Sequence, residues 1–161
     1  MVSKQTRMER GHNRREPTMT TAKKTRESGI PSGNAGEYLV MGELLRRGFD
    51  AQLADRNTKG YDILVATEPG APHRRIQAKT VRAQPWYISR SSFEGDMRNE
   101  ITIYVLLGAK TNESPARFFI AKNGDVAAHA TYPKDWPKNG FMPFKALEQK
   151  YENNWTLLTS L

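Results

Sequence analysis

Four polar residues stand on segments otherwise built for burial, and they are the first candidates for chemistry: Glu37, Asp62, Gln77 and Lys79. Glu37 heads an apolar helical stripe, and Asp62 interrupts the continuous β-prone run at residues 61–66 (YDILVA). Gln77 and Lys79 stand two apart in residues 75–81 (RIQAKTV), so a strand there presents both on one face. Buried singly, each would carry an uncompensated desolvation cost. Brought together they have a use. Two carboxylates and an amide oxygen make a site for a hard cation, Mg²⁺ or Mn²⁺. An ammonium beside them can orient or deprotonate the water that such a cation activates, and can meet negative charge developing on a phosphoryl group.

The elements that must position these groups are legible in the spacing. A helix is predicted over residues 34–47, with Asn34 as cap, Arg46 and Arg47 at the negative end of the dipole, and Gly48 just beyond. Its stripe is Val40, Met41, Leu44 and Leu45, and one turn back from Val40 and Met41 lies Glu37. Strands are predicted at 49–54, 61–66, 75–81, 101–107 (ITIYVLL) and 117–121 (RFFIA), with turns at 68–73 and 112–115. A hairpin centred near residues 70 and 71 makes opposed positions sum to about 141, so Asp62 would face Lys79 and lie diagonal to Gln77. A short helix is expected at 125–130. A final helix is expected at 143–152, with Phe144, Leu147 and Tyr151 on one face and Trp155, Leu157 and Leu158 packed against it. The result is an α/β architecture at the α+β boundary, a mixed central sheet of about five strands flanked by helices.

Composition narrows the class. A chain of 161 residues, 37% hydrophobic, closes one core, expected over residues 30–161. There is no Cys, and His12, His73 and His129 lack zinc spacing. No apolar run is long enough for a membrane span or a leader peptide, which points to a cytoplasmic protein. The net charge of +8 favours a nucleic-acid partner. Residues 1–27 hold eight Lys or Arg against Glu9, Glu16 and Glu27, so +5 of that excess lies there. Residues 1–29 are therefore expected to be a disordered basic tail, either an electrostatic arm for nucleic acid or a solvated extension, with Met19 as an alternative start.

The order G-E-x-L-V on a helix, Y-D-I-L-V on a strand and I-Q-A-K on the next resembles the PD-(D/E)XK, or restriction-endonuclease-like, nuclease superfamily. The segment Y-E-N-N-W-T-L-L is similar to the closing segment of small bacterial and phage members. The resemblance implies a metal-dependent endonuclease that hydrolyses DNA phosphodiesters, RNA being the alternative substrate. By the same resemblance Glu37, Asp62 and Gln77, with the Ala78 backbone carbonyl, hold Mg²⁺, and Lys79 acts on the attacking water. Two positions depart from the pattern: Tyr61 replaces the usual Pro, and Gln77 stands where most members have Glu or Asp. Small homing endonucleases encoded in group I introns resemble this chain in using Gln there.

Arg46, Arg47, Lys59, Arg74, Arg75 and Arg82 are candidate phosphate contacts. Cutting both strands would call for a homodimer or higher homo-oligomer. Other readings stay open. Asn34 and Glu37 have capping-box spacing, Asp62 and Lys79 could form a structural ion pair, and Trp86 and Tyr87 could stack on a base or fill the core. A catalytically inactive nuclease-fold module for DNA or protein binding is the alternative function.

Overall fold

The computed structural model describes residues 30–55, 57–108 and 114–160. The expected basic tail and residues 112 and 113 of the expected turn at 112–115 lie outside the described residues. Helix α1 (Ile30–Arg46) leads into β1 (Asp50–Leu53), β2 (Ile63–Ala66) and β3 (Arg74–Val81). Strand β4 (Trp86–Ser89) and two 3-10 turns precede β5 (Ile101–Leu106) and β6 (Arg117–Lys122). A one-turn helix α2 (Asn123–Val126) and β7 (Asn139–Met142) follow. The main sheet has the order β1-β2-β3-β5-β6, antiparallel throughout except for the parallel pair β3 and β5. Strands β4 and β7 form a separate antiparallel pair. The expected mixed five-stranded sheet with helical flanks is the architecture observed. Among the described residues, no helix is long and apolar enough to cross a membrane.

The sheet divides two cores, and strand alternation decides which residue enters which. One face carries Ile63, Val65, Ile76, Ile101, Ile103 and Val105, buried against Val40 and Leu44 of α1 and against Trp155 and Leu158. Each fully buried Leu or Val contributes roughly 1.5–3 kcal/mol relative to exposure. The other face carries Tyr104, Phe119 and Ala121, covered by Trp86 and Ile88 of β4 and by Met142, Leu147 and Tyr151. Leu45, expected in the helical stripe, is instead 51% exposed.

Residues 143–152 do not form the expected helix. Their backbone makes one 3-10 turn, Phe144–Ala146, and then runs up beside β6. There Ile120 N–H donates to Tyr151 O and Asn153 N–H to Phe118 O, both at 2.9 Å. Leu147 and Tyr151 still bury the predicted face, because a turn-rich path delivers the same side chains while giving the β6 edge backbone partners. The bridge is pinned by Arg117, which donates to both oxygens of Glu152 at 2.7 and 2.8 Å.

That pairing holds the Glu152 carboxyl below its ordinary value of 4.5, Arg117 being the main cause. A depressed folded-state pKa contributes stability above the unfolded value and loses it as pH falls through the folded one. Both side chains are partly exposed, so Glu152→Gln is expected to cost only about 0.5 to 1 kcal/mol at pH 7. Urea denaturation should show that difference shrinking toward zero as pH is lowered well below 4.5.

Candidate active site

Asp62 lies where three strands are tied together. Its N–H donates to Ile76 O at 2.8 Å, and its carbonyl accepts Ala54 N–H at 2.9 Å. Its carboxylate Oδ2 accepts Ala78 N–H at 2.7 Å. The side chain thus replaces a backbone partner at the point where the β2–β3 ladder stops.

The register differs from the sequence expectation by two residues. Ile63 pairs with Ile76 and Leu64 with Arg75, so opposed positions sum to 139. The physical reason is the turn, in which Ala71 N–H closes on Glu68 O with Pro69 and Gly70 at its centre. Gly70 takes φ +89°, the positive φ that a type II turn requires at its third position and that glycine supplies without strain. The paired register ends at Ile63; beyond it the Asp62 N–H turns to Ile76 O and its carboxylate to Ala78 N–H, so Asp62 leaves the regular ladder. Gln77 and Lys79, two apart on β3, share the face opposite Ile76 and Ala78.

Lys79 is half-buried, and its parallel neighbour in the sheet is the buried Tyr104. Burial pushes the Lys79 ammonium below the ordinary lysine value, and attraction to Asp62 opposes that shift. On β3, Ala78 points to the opposite face, against the α1 core.

Glu37 arrives from α1. The helix begins at Ile30, so Asn34 is inside it and not its cap. The capping-box explanation of Glu37 is thereby removed. Glu37, Asp62, Asn34, Asp55, Thr58 and Tyr61 line one cleft of about 220 Å³ between the helix and the β1–β2 loop. Asp55 was missed in the sequence reading, although its signal was present. An Asp followed by Asn and Thr after a strand favours a turn in which the Asp side chain bonds the backbone, and Asn57 N–H donates to Asp55 Oδ1 at 3.2 Å. Among the described residues, no three His, Asp or Glu side chains are grouped to hold a metal ion. The cleft's oxygens come from the carboxylates of Glu37, Asp55 and Asp62 with the Asn34 amide, while Gln77 and Lys79 are not among its lining residues.

The candidate phosphate contacts divide between the two ends of the sheet. Lys59 is exposed in the β1–β2 loop beside Thr58, and Arg82 is exposed where β3 ends, so both lie at the cleft end. Arg46 and Arg47 end α1, about 13 Å along the helix axis from Glu37, and both pair with Glu43. Arg47 also lies over the Trp155 ring, 4.2 Å from its centroid. Arg74 and Arg75 open β3 at the hairpin end, where Arg75 pairs with Glu100.

Comparison with solved structures finds the same fold elsewhere. The chain is similar to a bacterial homing endonuclease, I-Ssp6803I, at 12% sequence identity and a TM-score of 0.52, the match covering 83% of this chain and 95% of that one. It also matches Hjc of Archaeoglobus fulgidus, a Holliday junction resolvase from an archaeal hyperthermophile, at 17% identity and a TM-score of 0.46, covering 71% and 86% of the two chains. No family model and no curated protein sequence matches the chain. The fold is restriction-endonuclease-like, as the motif resemblance implied.

Glu37 owes its position to its neighbour. A Cβ built on Gly36 would stand 1.7 Å from Thr80 Oγ1 and 2.7 Å from Thr80 Cβ, so α1 crosses β3 at a distance only glycine permits. Gly36→Ala is expected to destabilise the fold by about 1–3 kcal/mol in urea denaturation. Adding Thr80→Ala should recover only part of the loss, because Thr80 Cβ itself is in the way.

Proposed function

We propose that this chain is a metal-dependent endonuclease that hydrolyses DNA phosphodiester bonds. The observation that carries the reading is the convergence, in a restriction-endonuclease-like fold, of the Glu37 and Asp62 carboxylates on one cleft, with half-buried Lys79 and Gln77 on the adjoining strand. The donor chemistry fits a hard divalent cation. Glu37, Asp62, the Gln77 amide oxygen and the Ala78 carbonyl are all oxygens, and so small a protein set suits Mg²⁺, which retains waters of its own. Such a cation supplies Lewis-acid charge at the scissile phosphate and makes water a better nucleophile.

The chain's own groups perform the remaining work. Lys79 Nζ donates hydrogen bonds that orient the attacking water and meets charge as it builds on the phosphoryl oxygens. The Asp62–Ala78 bond keeps one carboxylate oxygen fixed and aims the other. Lys59 and Arg82, at the cleft end, are placed to hold flanking phosphates. A second reading, a binding module that keeps the fold without cleaving, is favoured by the uncharged amide at Gln77.

Supercoiled plasmid incubated with Mg²⁺ or Mn²⁺ is expected to be nicked or linearised, and to stay intact in EDTA. Asp62→Asn retains an oxygen for Ala78 N–H and should fold normally, yet it and Lys79→Ala should each lower cleavage about a hundredfold or more. Plasmid and defined duplexes left whole with every metal, while still bound, would overturn the nuclease reading in favour of the binding module.

A further inference from the structure

Strand β4 buries alternate residues, and the ones it leaves outside form a surface for which the cleft has no use. Trp86 and Ile88 enter the core, while Tyr87 is 56% exposed. Beside it Trp136 is 42% exposed, with ring centroids 6.3 Å apart and planes tilted by 32°. Among the described residues the rings of Tyr38, Tyr87 and Trp136 are left exposed, and the last two stand together. They open onto a groove of about 550 Å³ that Asp135, Lys138 and Asn139 complete.

The groove is held in shape. Trp136 N–H closes a turn on Pro133 O at 2.9 Å, and Pro137 follows directly. Arg90 N–H donates to Lys138 O at 2.9 Å, and Arg90 Nε to Pro137 O at 3.0 Å. The Arg90 guanidinium lies over the Tyr132 ring, 4.0 Å from its centroid. An aromatic pair on so constrained a loop is pre-organised, so little ordering entropy is lost when a planar ligand covers it.

Charge identifies the ligand. Lys138 lines the groove, and Lys134, likewise exposed, lies two residues before Trp136 in the chain, against the single groove carboxylate of Asp135. Aromatic faces flanked by cations match nucleobases joined by phosphates, whereas an apolar protein face would leave those cations without partners. Bases stacked within a duplex have no free face, so the ligand must be unpaired.

We propose that Tyr87 and Trp136 form a stacking site for unpaired bases of a nucleic acid strand, with Lys138 and Lys134 neutralising its backbone. The site shares with the nuclease reading a nucleic-acid ligand and none of the cleavage chemistry. Binding can therefore be measured on the full chain in EDTA, at low salt, with oligothymidylate, oligouridylate and a duplex of about twelve nucleotides per strand. Trp86 and Trp155 are buried, so quenching of exposed indole emission reports on Trp136.

The expected results are quenching by the single strands, and about tenfold weaker single-strand binding by Tyr87→Ala or Trp136→Ala. Trp136→Phe should retain the affinity and lose the quenching. The thymidylate and uridylate arms separate DNA from RNA as the preferred strand. A Tyr87→Ala/Trp136→Ala protein that binds both strands as tightly as the parent would overturn the proposal. So would a double variant that loses only an oligomer in sedimentation, which would make the rings an interface between copies. Aromatic-dependent binding in a protein that cleaves nothing would sink the nuclease reading and leave this one standing.

Discussion

Asp62 is the point on which both the fold and the candidate site depend. Its backbone joins β1 to β2 and β2 to β3, through Ala54 and Ile76, and its carboxylate takes the place of a ladder partner for Ala78. A charged oxygen accepting an N–H makes a stronger bond than a neutral carbonyl would, so ending the ladder there leaves little of β3 unsatisfied. The same geometry holds the carboxylate near enough to Lys79 for the two charges to attract. Under the proposed function, structural and chemical roles would thus be carried by different atoms of one residue, and substitution by Ala would remove both. An amide in its place separates them.

The second constraint is the approach of α1 to β3. Helix stripes ordinarily stand off a sheet by the thickness of their side chains, but Gly36 has none and faces Thr80 directly. The N-terminal half of α1 is drawn down toward the end of β3 while Val40 and Leu44 fill the wider space behind it. Glu37, the next residue, is thereby carried to the cleft that Asp62 enters from the sheet. A larger residue at position 36 would move the carboxylate away without touching it.

Much of this was legible from residue spacing, and the failures have physical causes. The strands were found because β-prone apolar runs between turn residues have few other uses, and the shared face of Gln77 and Lys79 follows because it depends only on alternation along β3. The register did not survive: it depends on which pair of residues centres the turn, and Pro69-Gly70 won over the residues that follow it. Asn34 was read as a cap from its type, but the helix starts a turn earlier. Phe144, Leu147 and Tyr151 have helical spacing, yet their backbone follows the unpaired edge of β6, a tertiary demand that periodicity cannot register. The basic residues show the same limit. Arg46 and Arg47 are near Glu37 in sequence, but a helix separates them by its length. Trp86 and Tyr87 diverge because adjacent strand residues point to opposite faces, one inward to the core and one outward beside Trp136.

Under the proposed function, the uncharged amide at position 77 alters the balance of the site. Gln77 shares one face of β3 with Lys79, whose ammonium feels the Asp62 charge. A carboxylate at 77 would add a second negative charge on a half-buried surface, to be met by a bound cation or by proton uptake. With Gln, attraction to Asp62 is left to oppose the burial of Lys79. An amide there would hold a dication less tightly than a carboxylate. Under the proposed function, such a site would release metal easily and depend on the phosphates of its substrate to complete the coordination, so cation binding and DNA binding would be coupled by necessity.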